Sequence, residues 1–163
     1  MINLLVNHWP VLFVIATIVA AMYISLGLRR KSLPYESRPS LLTKTELAFF
    51  RSLQEAVDGE WMITTMVQMA DLIRVRPDTP KSQSWRNRIH AKHIDFLLCD
   101  HGTMQAKLAV ELDDSSHQRP DRVRRDQFVN AALDSAGIPL LRVDVQRDYD
   151  TDDLRKRISE QLS

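Results

Sequence analysis

Cysteine is almost missing from this chain of 163 residues. The single Cys99 excludes an internal disulfide framework and any cysteine-built zinc site, and it suits a reducing compartment. Glycine and proline are scarce as well, at 4 and 7 residues, which excludes low-complexity and collagen-like sequence. Neither sign of charge is in excess. The 22 Lys and Arg stand against 21 Asp and Glu, and a net charge of +1 excludes a histone-like chain that grips nucleic acid with its whole surface. A local basic patch is compatible with that balance. The most informative absence is confined to one end: residues 1–28 hold no Lys, Arg, Asp or Glu, so every formal charge falls in the remainder. The length suits one domain of ordinary size. The charge distribution divides the chain into an apolar segment with a basic end (1–31), a linker holding Pro34 and Pro39 (32–40), and a charged domain (41–163).

From Trp9 to Leu28 the chain reads WPVLFVIATIVAAMYISLGL, with Thr17 and Ser25 as its only polar breaks. A helix of that length rises roughly 30 Å, the thickness of a bilayer hydrocarbon core. Pro10 falls in the first turn, Trp9 and Tyr23 toward the two ends, and Arg29-Arg30-Lys31 follow directly. The pattern predicts a single transmembrane anchor with the lipid bilayer as partner of residues 9–28. The basic flank then puts the N-terminus outside and the charged domain in the cytoplasm, at the inner membrane if the source is bacterial. A cleaved signal would carry its basic residues before a shorter apolar stretch, and a buried core helix would show one polar face.

In the charged domain, Thr43 and Glu46 have capping-box spacing ahead of a helix to Val57, with Leu47, Phe50, Leu53 and Val57 at helical intervals and Asp58-Gly59 as the stop. Trp61–Val67 and His93–Cys99 read as strands, joined by a basic connection from Arg74 to Lys92 whose middle, Ser84–His90, has the look of a short helix. After a turn at Asp100–Thr103, Lys107–Leu112 makes a third strand, antiparallel to the second. A helix over Asp121–Ala136, stopped at Gly137, is long enough for a parallel crossover to a fourth strand at Ile138–Val143. Asp152-Asp153 opens a last helix with Leu154, Ile158 and Leu162 on one face. The fold class is α/β, with the order α-β-β-β-α-β-α.

Alternation along a strand puts Asp95 with His93, Leu97 and Cys99, and Glu111 with Ala109 and Asp113. Asp95 and Glu111 each stand between apolar neighbours, where a carboxylate is costly unless paired or bound to a cation. Two or three carboxylates converging from adjacent strands suit Mg²⁺ or Mn²⁺, hard ions that take oxygen ligands, so Asp95, Glu111 and Asp113 are candidate metal ligands. His117, four residues on, is a candidate proton-transfer group or phosphate contact. Arg142, the only charge in an apolar strand, suits a phosphate clamp. Arg86, Arg88, Lys92 and Arg119 are candidate nucleic-acid contacts, for DNA ahead of RNA. Each has a plainer alternative. Asp95 and Glu111 can form a structural ion-pair network with Arg142 and an arginine of the preceding helix. Glu46 can be a cap alone, Asp113 and Asp114 turn residues, and Cys99 a small core residue.

The stretches His93–Phe96 (HIDF), Ala109–His117 (AVELDDSSH), Arg125-Asp126 and Ala136–Val143 (AGIPLLRV) resemble the PD-(D/E)XK restriction-endonuclease-like superfamily. More narrowly they resemble its very-short-patch-repair-like branch, and within it an uncharacterised group of bacterial domains often found behind an N-terminal membrane helix. The resemblance spans about residues 41–145. It implies a mixed central sheet flanked by helices and Mg²⁺-dependent cleavage of phosphodiester bonds. Asp95 and Glu111 match the superfamily's metal ligands, Glu46 its additional helix acid, His117 the branch's histidine, and Asp126 and Arg142 its later polar positions. Asp113 stands where the superfamily has a lysine, and Asp114 where the branch has glycine. The expectation is therefore a membrane-anchored, cytoplasm-facing nuclease with Asp95, Glu111, Asp113, His117 and Arg142 as its working residues. The alternative is a silent nucleic-acid-binding or scaffold domain of the same fold.

Overall fold

The computed structural model describes residues 9–28, 33–113 and 120–163, the side chains of 26–28 and 120–122 excepted. The chain forms two compact units, Met1–Pro39 and Ser40–Ser163.

In the first unit, helix α1 (Trp9–Leu28) forms where the apolar run predicts it. Thr17 and Ser25 bury no unpaired hydroxyl, because Thr17 Oγ1 donates to the Val14 carbonyl at 2.8 Å and Ser25 Oγ to the Met22 carbonyl at 3.0 Å. The expectation of a transmembrane anchor is corrected, however: among the described residues no helix is long and apolar enough to cross a membrane. The single-pass localisation, with its outside N-terminus and cytoplasmic domain, is withdrawn with it.

The second unit is a mixed α/β fold. Helix α2 (Lys44–Val57) begins at the predicted capping box: the Thr43 N–H donates to Glu46 Oε2 at 2.7 Å and the Glu46 N–H to Thr43 Oγ1 at 3.2 Å. Two left-handed residues end it, Asp58 at φ +48° and Gly59 at φ +74°. Its buried stripe is Phe49, Leu53, Ala56 and Val57: Leu53 and Val57 are buried as expected and Phe50 packs half-buried against the same core, while Leu47 is exposed and Phe49 and Ala56 are buried unforeseen. Strand β1 (Met62–Gln68) leads into a short helix α3 (Met69–Leu72) and then α4 (Ser82–His90). Strands β2 (His93–Cys99) and β3 (Ala106–Asp113) form a hairpin, helix α5 (Pro120–Ser135) crosses over, and β4 (Leu140–Asp144) and helix α6 (Thr151–Leu162) complete the unit. β4 starts two residues later than the apolar run suggests because Pro139 has no N–H to give; its carbonyl accepts from the Ala109 N–H at 2.9 Å.

The four strands lie in chain order, β1-β2-β3-β4. The first two pairings are antiparallel and β3–β4 is parallel, as the intervening 16-residue helix predicts. One sheet face carries Phe96, Leu98, Leu108, Val110, Leu141 and Val143 against Phe49 and Leu53 of α2 and Leu154 and Ile158 of α6. The opposite face carries Leu97, Cys99 and Ala109 against Val129 and Leu133 of α5, Ile89 of α4 and Met69 of α3. Helices thus cover both faces of the sheet, and strand β3 is buried at its centre. Arg155 of α6 ties the first layer together by donating to the orphan carbonyls of Glu55 and Ala56 at the end of α2.

A carboxylate cluster beside a basic groove

The register of the sheet assembles the site. In the β2–β3 hairpin Phe96 pairs with Val110, so Asp95 and Glu111 stand one step further along; Glu111 alternates with Ala109 of the α5 side, whereas on β2 Ile94 and Leu97 share that side, so strict alternation breaks between them. In the parallel ladder Glu111 pairs with Arg142 and Asp113 with Asp144. Asp95 also satisfies the strand beside it, since the Leu112 N–H donates to Asp95 Oδ2 at 2.9 Å. Across from Asp95 the β1–β2 pairing skips Met66, a non-glycine residue at φ +54°. Such a left-handed residue within a strand is uncommon and costs energy.

Glu111 is the one charged residue in the described core, 7% exposed, and its Oε1 has no hydrogen-bond partner among the described residues. Burial pushes its carboxyl up to about 8, and the neighbouring Asp95 pushes the same way, while the Arg142 and Arg125 guanidinium groups and then Asp113 act more weakly. Asp95 is also raised. Burial is again the first cause, opposed by the Leu112 N–H, with Glu46 raising it, Arg125 lowering it and Asp113 raising it. Glu46 therefore has two roles at once: it closes the α2 capping box, and its charge reaches Asp95 from the first turn of that helix.

Asp113 is engaged by a cation. Arg142 Nη1 donates to Asp113 Oδ1 at 2.7 Å. The same guanidinium donates through Nε and Nη2 to Asn130 Oδ1 at 3.2 and 3.0 Å, and Nη2 lies 3.7 Å from Asp126 Oδ1. Arg157 of α6 donates to the Arg142 carbonyl at 2.6 Å. The structure thus brings together Asp95, Glu111, Asp113, Arg142 and Asp126, with Glu46 within electrostatic reach. His117 and Arg119 lie outside the described residues, as does Asp114. Asn130, Arg125 and Arg157 were not among the expected site residues. Asn130 had a signal, standing four residues after Asp126 on one face of α5.

Next to Arg125 runs an open groove of about 520 Å³ lined by Ser84, Asn87, Arg88, Ala91, Lys92, Arg124, Arg125 and Phe128, with no acidic member among the described residues. Arg125 belongs to this groove and to the field of Asp95 and Glu111 alike. Of the expected nucleic-acid contacts, Arg88 and Lys92 line it. Arg86 points elsewhere, donating to Ser82 Oγ at 3.0 Å. Arg88 is stacked, its guanidinium carbon 3.9 Å from the Phe128 ring centroid and 5.0 Å from that of Trp85.

Among the described residues no group of three or more His, Cys, Asp or Glu side chains is arranged to hold a metal ion. Asp113 is taken by Arg142, which leaves Asp95 and Glu111. A buried carboxylate oxygen without a partner beside a second carboxylate is a fitting donor set for Mg²⁺, which is usually held by one or two carboxylates and otherwise keeps water or phosphate oxygens. The cation would take the place of the proton that burial otherwise keeps on Glu111.

No curated protein and no solved structure matches the chain. A family profile does match, over residues 38–162, and the family is described as one of unknown function. The match covers most of the chain and the whole of the sheet and its helices, so the chain belongs to the family described as protein of unknown function DUF2726.

Proposed function

We propose that the second unit is a metal-dependent nuclease-like domain that hydrolyses phosphodiester bonds of DNA. The observation that carries this reading is Glu111: a buried carboxylate with an oxygen unpartnered among the described residues, next to Asp95, and in the field of Arg125, which lines a groove whose described charged side chains are all cationic. A fold retains such a costly group when it has work for it. The resemblance of Asp95, Glu111, Asp126 and Arg142 to PD-(D/E)XK positions supports the same reading. Asp95 and Glu111 would hold Mg²⁺ or Mn²⁺, which when bound polarises a phosphoryl group and lowers the pKa of water. Arg88, Lys92, Arg124 and Arg125 would hold the phosphate backbone. Arg142 neutralises Asp113 at the position where the superfamily has lysine, and its guanidinium would stabilise charge developing on the phosphate. His117 would carry the proton.

A second reading has its own observation. Arg142 is committed to Asp113 and Asn130, which suits a domain that has lost catalysis and keeps the groove to bind nucleic acid. A cleavage assay on the full chain separates the two. Single-stranded, duplex, mismatched and branched DNA and RNA are offered with Mg²⁺ or Mn²⁺, beside a Glu111→Gln control. Cleavage that disappears in the control supports the nuclease. A folded chain that binds these substrates and cuts none of them supports the silent module.

A further inference from the structure

A second groove, of about 620 Å³, opens on the other side of Phe128, between the 72–79 segment, α4 and α5. Its floor is apolar, with Ile89, Ala132 and Ile138, and Trp85 stands in its wall 42% exposed, unusual for a side chain of that size. Arg74 and Arg76 belong to its lining, and no acidic residue does. Phe128 lines both grooves, so the boundary between them is the stack of the Arg88 guanidinium on Phe128 and Trp85. One molecule that followed the surface would pass from a polycationic channel into a pocket with an aromatic wall and an arginine-bearing lining.

We propose that the apolar groove seats an unpaired base of a single-stranded nucleic acid whose phosphates run along the basic groove, with Trp85 as the stacking platform. This rests on the nucleic-acid reading above and names its substrate class. Nonspecific single-strand binders combine these two parts, a cationic track for the backbone and aromatic faces for the bases. A rigid duplex offers its phosphates but keeps its bases stacked inside, so it fills the first groove and leaves the second empty. The charge pattern also selects this occupant over a peptide. A helix docking on the apolar floor would gain nothing from the neighbouring arginines and lysine unless it too were strongly anionic, whereas a strand carries one negative charge for each base it presents.

The test is fluorescence anisotropy with the full chain, in EDTA so that cleavage plays no part. The probes are a thymidine strand of about 12 nucleotides, within the usual span of single-strand sites, a strand of equal length and charge made wholly of abasic nucleotides, and a hairpin duplex. The intact strand should bind about tenfold more tightly than the abasic strand and the duplex, as loss of stacked bases predicts. Trp85→Ala should remove that preference, read as the ratio of intact-strand to abasic-strand affinity, so that any loosening of Arg88 affects both probes alike, and Trp85→Phe should restore part of it. The probe comparison needs no variant, so it holds even if Trp85→Ala fails to fold. Equal affinity for the three probes, or a preference that survives in Trp85→Ala, overturns the base site and leaves the nucleic-acid reading standing. Binding to none of them overturns both.

Discussion

Arg142 on β4 and Asp113 on β3 meet across a parallel ladder, Nη1 to Oδ1 at 2.7 Å, although their backbones are not register partners. The backbone partner of Arg142 is Glu111, and its side chain passes that carboxylate to reach Asp113 two residues on. Asn130 holds the guanidinium in this pose through one carbonyl oxygen. The result is a neutralised Asp113 and an unpartnered Glu111 Oε1, side by side.

Removing the guanidinium should therefore be costly. Arg142→Met leaves Asp113 uncompensated beside Asp95 and Glu111, and we expect a loss of about 1–3 kcal/mol in urea unfolding. Arg142→Lys keeps the charge but cannot span Asp113 and Asn130 together, so it should recover only part. Unchanged stability in Arg142→Met would show that the pair holds nothing in place.

Glu111 sets the pH dependence. Its carboxyl titrates near 8 in the fold against an ordinary value of 4.5, so the folded chain keeps a proton that the unfolded chain releases. The stability this gives is complete below the unfolded value and is lost as pH rises through about 8. Asp95, also raised, acts in the same direction. Without divalent cations, the free energy of unfolding from urea titrations should fall between about pH 5 and pH 9, by on the order of a few kcal/mol. Glu111→Gln, which stays neutral, should flatten this slope and be the more stable protein at the alkaline end. A wild-type slope equal to that of Glu111→Gln would contradict the assignment.

Cation and proton compete for the same oxygens. Excess Mg²⁺ or Mn²⁺ should raise the melting temperature more at about pH 9 than at about pH 6, with about 2.7 kcal/mol available at a hundredfold excess over Kd. Asp95→Asn and Glu111→Gln should each remove the shift without loss of fold. A shift of equal size in both variants would take these residues out of the cation site.

Glu46 allows its two roles to be separated. Glutamine also closes a capping box, so Glu46→Gln should leave helix stability nearly unchanged while lowering the Asp95 pKa, measured by carboxyl NMR titration. Thr43→Ala breaks the box and should cost about 1 kcal/mol. An Asp95 titration that is the same in Glu46→Gln and wild type would confine Glu46 to capping.

Much of this was legible beforehand because it is local. The capping box of Thr43 and Glu46, the strand His93–Cys99, and the crossover that makes β3 and β4 parallel all follow from spacing within one segment. Alternation put Glu111 with Ala109, opposite Val110 and Leu112, but it does not carry through β2, where Ile94 and Leu97 share one face. Periodicity missed Phe49: α2 buries it because Phe96 of β2 and Tyr149 of the connection before α6 pack against it, partners that no local pattern contains.

The tertiary structure decided the rest. Twenty uncharged residues fixed a helix over Trp9–Leu28 by themselves, but among the described residues no helix is long and apolar enough to cross a membrane. The ladder registers determine which charges meet, because they depend on strands that lie far apart in sequence. They brought Glu111 beside Arg142 and left Asp113, not Glu111, with the guanidinium. Burial decides which carboxylate is unusual: desolvation is a property of everything packed around a group, so an acidic residue in an apolar strand becomes a buried Glu111 titrating near 8 only once α5 and β2 have closed over it.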